Sequence, residues 1–304
     1  MNRLIVILGP TASGKTRLAA QVAHRLGGEI ISADSRQVYR DMDIGTGKDL
    51  AEYRIGDETI PYHLINVTDA GSDYNVYQYQ QDFYQVLPQI LDRGRVPILC
   101  GGTGLYIEAV LKGHQFTAIP IDPRFRAELD QKSDGELLQL FEQTASAYTT
   151  VADTSTRKRL IRAIEINRYL NENSLTEITP MPSHPNYTVF GIDLPVELRR
   201  QRITRRLHER LRHGMIEEVQ RLLERGIPTE KLVFYGLEYK FITNYLEGHL
   251  DYDTMVKRLE TAIHQFAKRQ MTFFRKMERD GIPIHWLDGL APAETLTEEI
   301  LTTV

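Results

Sequence analysis

Leu4-Ile5-Val6-Ile7-Leu8-Gly9-Pro10-Thr11-Ala12-Ser13-Gly14-Lys15-Thr16 decides how this chain is read. Five consecutive apolar residues predict a buried strand, and a helical pattern begins directly after Thr16. Between them lies a complete Gly-x4-Gly-Lys-Thr phosphate loop, Gly9, Pro10, Thr11, Ala12, Ser13, Gly14, Lys15 and Thr16, in strand-loop-helix context. Its glycines let backbone N–H groups converge on phosphate oxygens, and the helix N-terminus adds partial positive charge. Lys15 adds a full charge, and the Thr16 hydroxyl suits Mg²⁺. The chain is therefore read as binding a polyphosphate. The loop leaves open whether that group belongs to a nucleoside triphosphate or to another diphosphate.

Working outward, residues 3–8 and 29–32 read as strands and 17–26 as the helix between them, closed by Gly27-Gly28. Further strands are expected at 63–67 and 96–100 and helices at 77–91 and 104–111, an alternation that predicts a parallel sheet with its loops at the carboxyl edge. From about 122 to 178 the pattern is helical and strand-poor, and the Pro-rich segment 179–185 reads as a loop or hinge. A strand follows at 187–194, then helices at 196–213, 215–225 and 252–279, a last strand at 282–287 and a short terminal helix. The expected organisation is an α/β core of residues 1–113 and 187–304, a P-loop NTPase-like parallel sheet flanked by helices, with a helical insertion over 114–186.

The composition, 41% hydrophobic and 26% charged over 304 residues, is that of a globular protein rather than a disordered or membrane one. The amino-terminal apolar stretch is too short for a signal peptide, no run is long enough to cross a bilayer, and the lone Cys100 can form no internal disulfide. A cytoplasmic protein is expected, and a monomer. The net charge of -4 argues against nucleic-acid binding over the whole surface. The charges are nevertheless clustered: residues 199–225 hold nine arginines against four acids. Arg157, Lys158, Arg159 and Arg162 form a second group, and Lys268, Arg269, Arg275 and Lys276 a third. Any one cluster reads as a solvated face; three beside a phosphate loop point to polyanion contact.

Asp34 follows a strand and a single alanine, so its carboxylate is expected over the same edge as Lys15. It could hold Mg²⁺ through water or accept a proton from an attacking group, or it could simply make an Asx-turn or cap. Thr103, behind Gly101-Gly102, could touch substrate or cap the next helix. The segment 41–48, with its Gly-Thr-Gly-Lys end, lacks a preceding strand and reads as a loop. Asp69 is the best candidate for the acid an NTP hydrolase needs after four apolar strand residues, and Thr68 interrupts that pattern, which weakens the motor or GTPase reading.

Several blocks together resemble the tRNA dimethylallyltransferases, also called tRNA isopentenyltransferases. They are Gly9 to Thr16, Ile30-Ile31-Ser32-Ala33-Asp34-Ser35-Arg36-Gln37-Val38-Tyr39, Met42-Asp43-Ile44-Gly45-Thr46-Gly47-Lys48, and Gly101-Gly102-Thr103-Gly104-Leu105-Tyr106. Asp122-Pro123 with Arg126, Arg159-Leu160-Ile161-Arg162-Ala163-Ile164-Glu165 and Ala267-Lys268-Arg269-Gln270-Met271-Thr272-Phe273 extend the likeness over nearly the whole chain. The chain departs from the family pattern at Ser155-Thr156, where Asn-Asp is common, at Leu237 to Lys240 after Gly236, and at Ile263-His264.

The resemblance implies transfer of a dimethylallyl group from dimethylallyl diphosphate to N6 of an adenosine beside the tRNA anticodon, with Mg²⁺ as cofactor. It implies that the phosphate loop with Lys15 grips the diphosphate, that Arg202 and Arg206 reach it, and that Thr16 serves the metal. Asp34 is implied as the base and Thr103 as a second contact near the reacting amine. Ser35, Arg36 and Gln37 would line the way in for the flipped adenosine, and Arg126, Lys158, Arg159 and Arg162 would grip the anticodon stem. Pairing of Arg159 and Arg162 with Glu165 or neighbouring acids within the helix is the structural alternative. Two other activities remain compatible with the loop: isopentenyl transfer to free AMP, ADP or ATP, and a nucleotide kinase reaction.

Overall fold

A computed structural model describes residues 3–173 and 186–304. Its backbone contacts divide the chain into two compact units, Met1–Lys112 with Ser183–Val304, and Gly113–Pro182. The expected loop at 179–185, and the expected helical stretch beyond residue 173, lie outside the described residues.

The first unit begins with β1 (Leu4–Leu8), buried throughout. Alternation of side chains sends Leu4, Val6 and Leu8 to one apolar core and Ile5 and Ile7 to another, so the strand is sandwiched. α1 (Lys15–Leu26) follows and ends at Gly27, whose φ of 61° is a left-handed cap. β2 (Gly28–Ser32) comes next, then a small antiparallel hairpin of β3 (Arg54–Ile55) and β4 (Glu58–Thr59), and β5 (Tyr62–His63). Of the strand expected over 63–67 only His63, which forms β5 with Tyr62, is extended into the sheet. Leu64 and Asn66 adopt φ of 59° and 57°, left-handed values that break an extended chain despite the apolar sequence.

α2 (Val76–Asp92) starts on a capping box of Asn75 and Gln78, and β6 (Val96–Gly101) leads into α3 (Gly104–Lys112). The chain then forms α4 (Pro123–Asp130), α5 (Asp134–Gln143) and α6 (Arg157–Glu172) of the second unit. β7 (Tyr187–Asp193) rejoins the sheet beside β1. α7 (Val196–Arg212), α8 (Met215–Glu224), α9 (Thr229–Tyr235), α10 (Leu237–Leu246) and the long α11 (Tyr252–Arg279) follow. β8 (Ile284–Asp288) and α12 (Ala293–Thr303) complete the unit. α9 and α10 had no counterpart in the sequence reading, because Gly236, at φ 154°, splits a helical stretch into two short pieces.

All six strands of the main sheet are parallel, in the order β5-β2-β6-β1-β7-β8. On one face α2, α3 and part of α11 cover the sheet; on the other lie α1 and α12. A third core joins α7 to α11 with Val38, Tyr39 and Met42 of the segment after β2. That helical cluster supplies the wall facing the phosphate loop. No helix among the described residues is long and apolar enough to cross a membrane.

Within the second unit α4 is capped by Asp122, α5 by a Ser133–Glu136 capping box and α6 by Thr156. Leu129, Leu137, Leu160, Ile161 and Ile164 form its main core.

Candidate active site

β2, β6 and β1 are neighbours running the same way, and their register pairs Ser32 with Cys100 and Leu8 with Gly101. The three loops that leave their carboxyl ends, at Gly9, Asp34 and Thr103, therefore emerge side by side. This is the crevice where open parallel sheets bind ligands.

The phosphate loop is shaped by left-handed backbone at Ala12 (φ 62°) and Gly14 (φ 85°). Gly14 is also the N-cap of α1, and no side chain caps that end. The first N–H groups of the helix are thus left for a ligand, with the helix dipole behind them. The Ser13 hydroxyl is buried and unpartnered within the loop.

A single glutamine ties this loop to the Gly101-Gly102-Thr103 turn. Gln270, on α11 and only 8% exposed, accepts from Thr11 N–H at 2.9 Å and donates through Nε2 to the Gly102 carbonyl at 2.9 Å. A Cβ on Gly102 would lie 2.5 Å from that Nε2, so glycine is what lets the side chain in. In the sequence Gln270 is one residue of the block from Ala267 to Phe273, with little local to mark its role. The only available signal was a glutamine on an otherwise apolar helix face, beside the buried Ala267 and Phe274.

Asp34 Oδ1 accepts from Arg36 N–H at 2.9 Å, an Asx-turn that fixes the carboxylate. Thr103 Oγ1 accepts from Ser35 N–H at 3.0 Å and lies 3.3 Å from Ser35 Oγ, while Thr103 N–H donates to the Ala33 carbonyl at 3.1 Å. The two loops are thereby bolted together at the residues that carry chemistry.

A cavity of about 500 Å³ opens here, within the first unit. Thr11, Lys15, Asp34, Ser35, Arg36 and Thr103 line it from the sheet side. Arg206, Arg210, Glu238, Arg269 and Gln270 line it from the helices. Of the residues expected to gather here, Gln37 and Arg202 are not among the cavity's lining, and of the phosphate loop only Thr11 and Lys15 are, leaving Gly9, Pro10, Ala12, Ser13, Gly14 and Thr16 outside it. Gln37 turns inward instead, accepting from Ser32 Oγ at 3.2 Å and donating to the Gly47 carbonyl at 3.0 Å. Along α7 the cavity-lining arginines are Arg206 and Arg210, one turn further on than the expected Arg202 and Arg206.

The electrostatics are those of buried cations gathered at one site. Burial holds the Lys15 ammonium below its ordinary value, with Asp34 opposing and the Arg206 charge adding to the effect. Burial, and then the charge of Arg210, lower Arg206 to about 10. Neighbouring carboxylates do not outweigh desolvation in either case, so a bound diphosphate would restore both. Arg206 also donates to Thr11 Oγ1, and Arg210 pairs with Asp49 at 2.6 Å. Opposite them, burial raises the Glu238 carboxyl, with Arg210 and Arg206 pulling the other way. Cys100 is buried beneath the loop and its thiol is pushed up to about 12, which makes it a core residue and no nucleophile.

The loop at 41–48 forms part of the wall, through Gly45 and Thr46. Glu218, buried on α8, accepts from the N–H groups of Asp43, Ile44 and Gly45 at 2.8, 2.7 and 2.9 Å and from Tyr239 Oη at 2.7 Å. Lys48, 1% exposed, donates to the Tyr39 carbonyl, Asp43 Oδ1 and Asn66 Oδ1 at 2.6, 2.6 and 2.5 Å. It is a structural lysine. Asp69 is exposed and paired with Arg40 at 2.9 Å, far from the features of a metal-holding strand acid.

In the second unit the basic residues separate into two kinds. Arg126 holds buried Glu165 through two bonds of 3.1 and 2.5 Å. Arg162 reaches Glu165 at 3.4 Å and the carbonyls of Ile119 and Pro120 at 2.6 and 3.3 Å. Both therefore serve the packing of their own unit, the alternative weighed for Arg162. Lys158 and Arg159 are exposed, Arg159 pairing with Asp153 at 2.9 Å.

Residues 37–277 match the family described as IPP transferase, and residues 2–60 match isopentenyl transferase. The chain is 54% identical over 300 residues to tRNA dimethylallyltransferase 1 of Porphyromonas gingivalis, covering 98% of each. To tRNA dimethylallyltransferase 1 of Parabacteroides distasonis it is 51% identical, over 99% of this chain and 96% of the relative. Among solved structures, the full-length tRNA isopentenylpyrophosphate transferase of Bacillus halodurans superposes with a TM-score of 0.72 at 31% identity, covering 100% of this chain and 95% of that one. A eukaryotic dimethylallyltransferase, caught acting on tRNA, shares the fold at 24% identity with a TM-score of 0.68, over 94% of this chain and 74% of that one.

Proposed function

The chain belongs to the tRNA dimethylallyltransferase family, and on that premise we propose that it moves a dimethylallyl group from dimethylallyl diphosphate to N6 of an adenosine beside the tRNA anticodon, in the cytoplasm. The observation that carries this reading is that Thr11 and Lys15 of the phosphate loop, Arg206 and a fixed Asp34 line one cavity together.

An adenine amino group is a weak nucleophile, so the electrophile must be strong. An allylic diphosphate supplies one when its C1–O bond breaks and the electron pair leaves with the diphosphate. Lys15, Arg206 and the α1 N-terminus stabilise that developing charge, and they do so in a desolvated site where each interaction counts for more. Asp34 orients the N6 amine and takes its proton on Oδ2 as the N6–C1 bond forms, while Oδ1 stays anchored to Arg36 N–H. Thr103 contacts the amine or the diphosphate. Ser35 and Arg36 border the path of the flipped base.

Mg²⁺ fits the donors present. Among the described residues no group of three or more His, Cys, Asp or Glu side chains is placed to hold a metal. The Thr16 hydroxyl, with Asp34 through water, would hold the cation. When bound it would add to the neutralisation of the leaving group. Of the second-unit cations expected to meet RNA, Lys158 and Arg159 are the exposed ones and are offered to the RNA backbone; such contacts weaken steeply with salt.

The test is incubation with labelled dimethylallyl diphosphate and, separately, unmodified tRNA, AMP and ATP. Label appearing in tRNA supports the reading. Label in a mononucleotide alone, or consumption of ATP without prenyl transfer, would overturn it.

A further inference from the structure

We propose that the Phe234 ring at the mouth of the cavity is a stacking platform for a base of the RNA acceptor next to the one that reacts. This deepens the reading above and rests on it. Phe234 lines the cavity yet is 58% exposed, at the carboxyl end of α9. Its backbone is firmly held: the adjacent Tyr235 is buried, accepts from Gly71 N–H at 2.7 Å and donates to the Ser72 carbonyl at 2.9 Å. The ring itself is oriented by Arg36, whose guanidinium carbon lies 5.3 Å from its centroid.

An aromatic ring left so exposed on a rigid backbone calls for a partner. Leu105, Val233 and Phe266, at 47%, 36% and 40% exposure, line the same cavity, so the apolar surface is gathered at one opening. Arg36, Lys240 and Arg269 line it too. Apolar faces interleaved with cations suit a single-stranded nucleic acid, whose bases stack while its phosphates pair. An adenosine drawn out of its stack to reach Asp34 leaves a neighbouring base uncovered, and an aromatic face can replace what that base has lost. A dimethylallyl tail could also use an apolar ring; trimming that ring would then weaken dimethylallyl diphosphate binding, whereas the loss of a base contact would leave it unchanged.

Phe234→Leu and Phe234→Trp separate these roles without disturbing the buried Tyr235. Binding is followed with an anticodon stem-loop carrying 2-aminopurine beside the target adenosine, and the affinity for dimethylallyl diphosphate is measured in parallel. The Leu variant should bind the RNA about ten-fold more weakly, the size of one base–aromatic stack, and lose the quenching of the probe. The Trp variant should bind at least as tightly as the parent, and diphosphate affinity should not move. Equal RNA binding by parent and Leu variant overturns the platform while leaving tRNA as acceptor. A loss of dimethylallyl diphosphate affinity in the Leu variant overturns it in favour of a prenyl contact. A parent protein that transfers label only to mononucleotides removes the acceptor assignment, and the platform with it.

Discussion

Replacing Gln270 by glutamate tests how tightly the phosphate loop must be coupled to the Gly102 turn. The change is isosteric and keeps an acceptor for Thr11 N–H, but it turns the donor facing the Gly102 carbonyl, at 2.9 Å, into a second acceptor. One hydrogen bond worth about 1 kcal/mol is lost and a repulsion of similar size replaces it, so the aligned site should be disfavoured by roughly 2 kcal/mol. That is about a thirty-fold fall in the single-turnover rate at alkaline pH. Protonating the new carboxyl restores an O–H donor, so the deficit should shrink as pH is lowered, measured against the parent at each pH. Gln270→Ala, which abandons both partners, should be slow at every pH. Rapid-quench measurement of transfer to tRNA, with dimethylallyl diphosphate affinity measured alongside, provides the readout. A Glu variant that matches the parent rate across the alkaline range would refute the coupling.

Asp34→Asn retains the geometry and loses the base; kcat should fall about 10²-fold with the KM for tRNA little changed, and parental turnover would remove Asp34 from the mechanism. Glu218→Ala strands three backbone N–H groups and the Tyr239 hydroxyl, which should destabilise the first unit by about 3 kcal/mol or more in urea titrations. A change within error would show that the brace is dispensable. Glu238 is held above its ordinary value of 4.5 by burial, so the folded protein keeps that proton more tightly than the unfolded chain. Its contribution is fully favourable below the ordinary value and is lost as pH rises through the folded one. Glu238→Gln should therefore equal the parent in acid and exceed it increasingly toward alkaline pH; a difference independent of pH contradicts this.

What could be read from the sequence was what is written locally. The strand, loop and helix of residues 4–26 are specified by an apolar run, two glycines and a lysine that stand close together in sequence, and they form there. The long α11 was legible from its periodicity. The strand at 63–67 was misread because left-handed φ at Leu64 and Asn66 leaves no compositional mark. Asp34 announces itself by following a strand, whereas Gln270 meets the phosphate loop across 259 positions, and nothing near either residue encodes that meeting. The arginines of α6 could be counted, but the count does not show that Glu165 takes up Arg162, together with Arg126 of α4, inside their own unit.

The place of β1 in the sheet has a consequence for the newborn chain. Its two neighbours, β6 and β7, are made some 90 and 180 positions later, on either side of the second unit's sequence. During vectorial synthesis the amino-terminal segment must therefore wait with one flank uncovered, a state prone to unwanted association. Gln270 arrives later still, so the tie between the phosphate loop and the Gly102 turn closes only when translation is almost finished, and a prematurely released polypeptide lacks it.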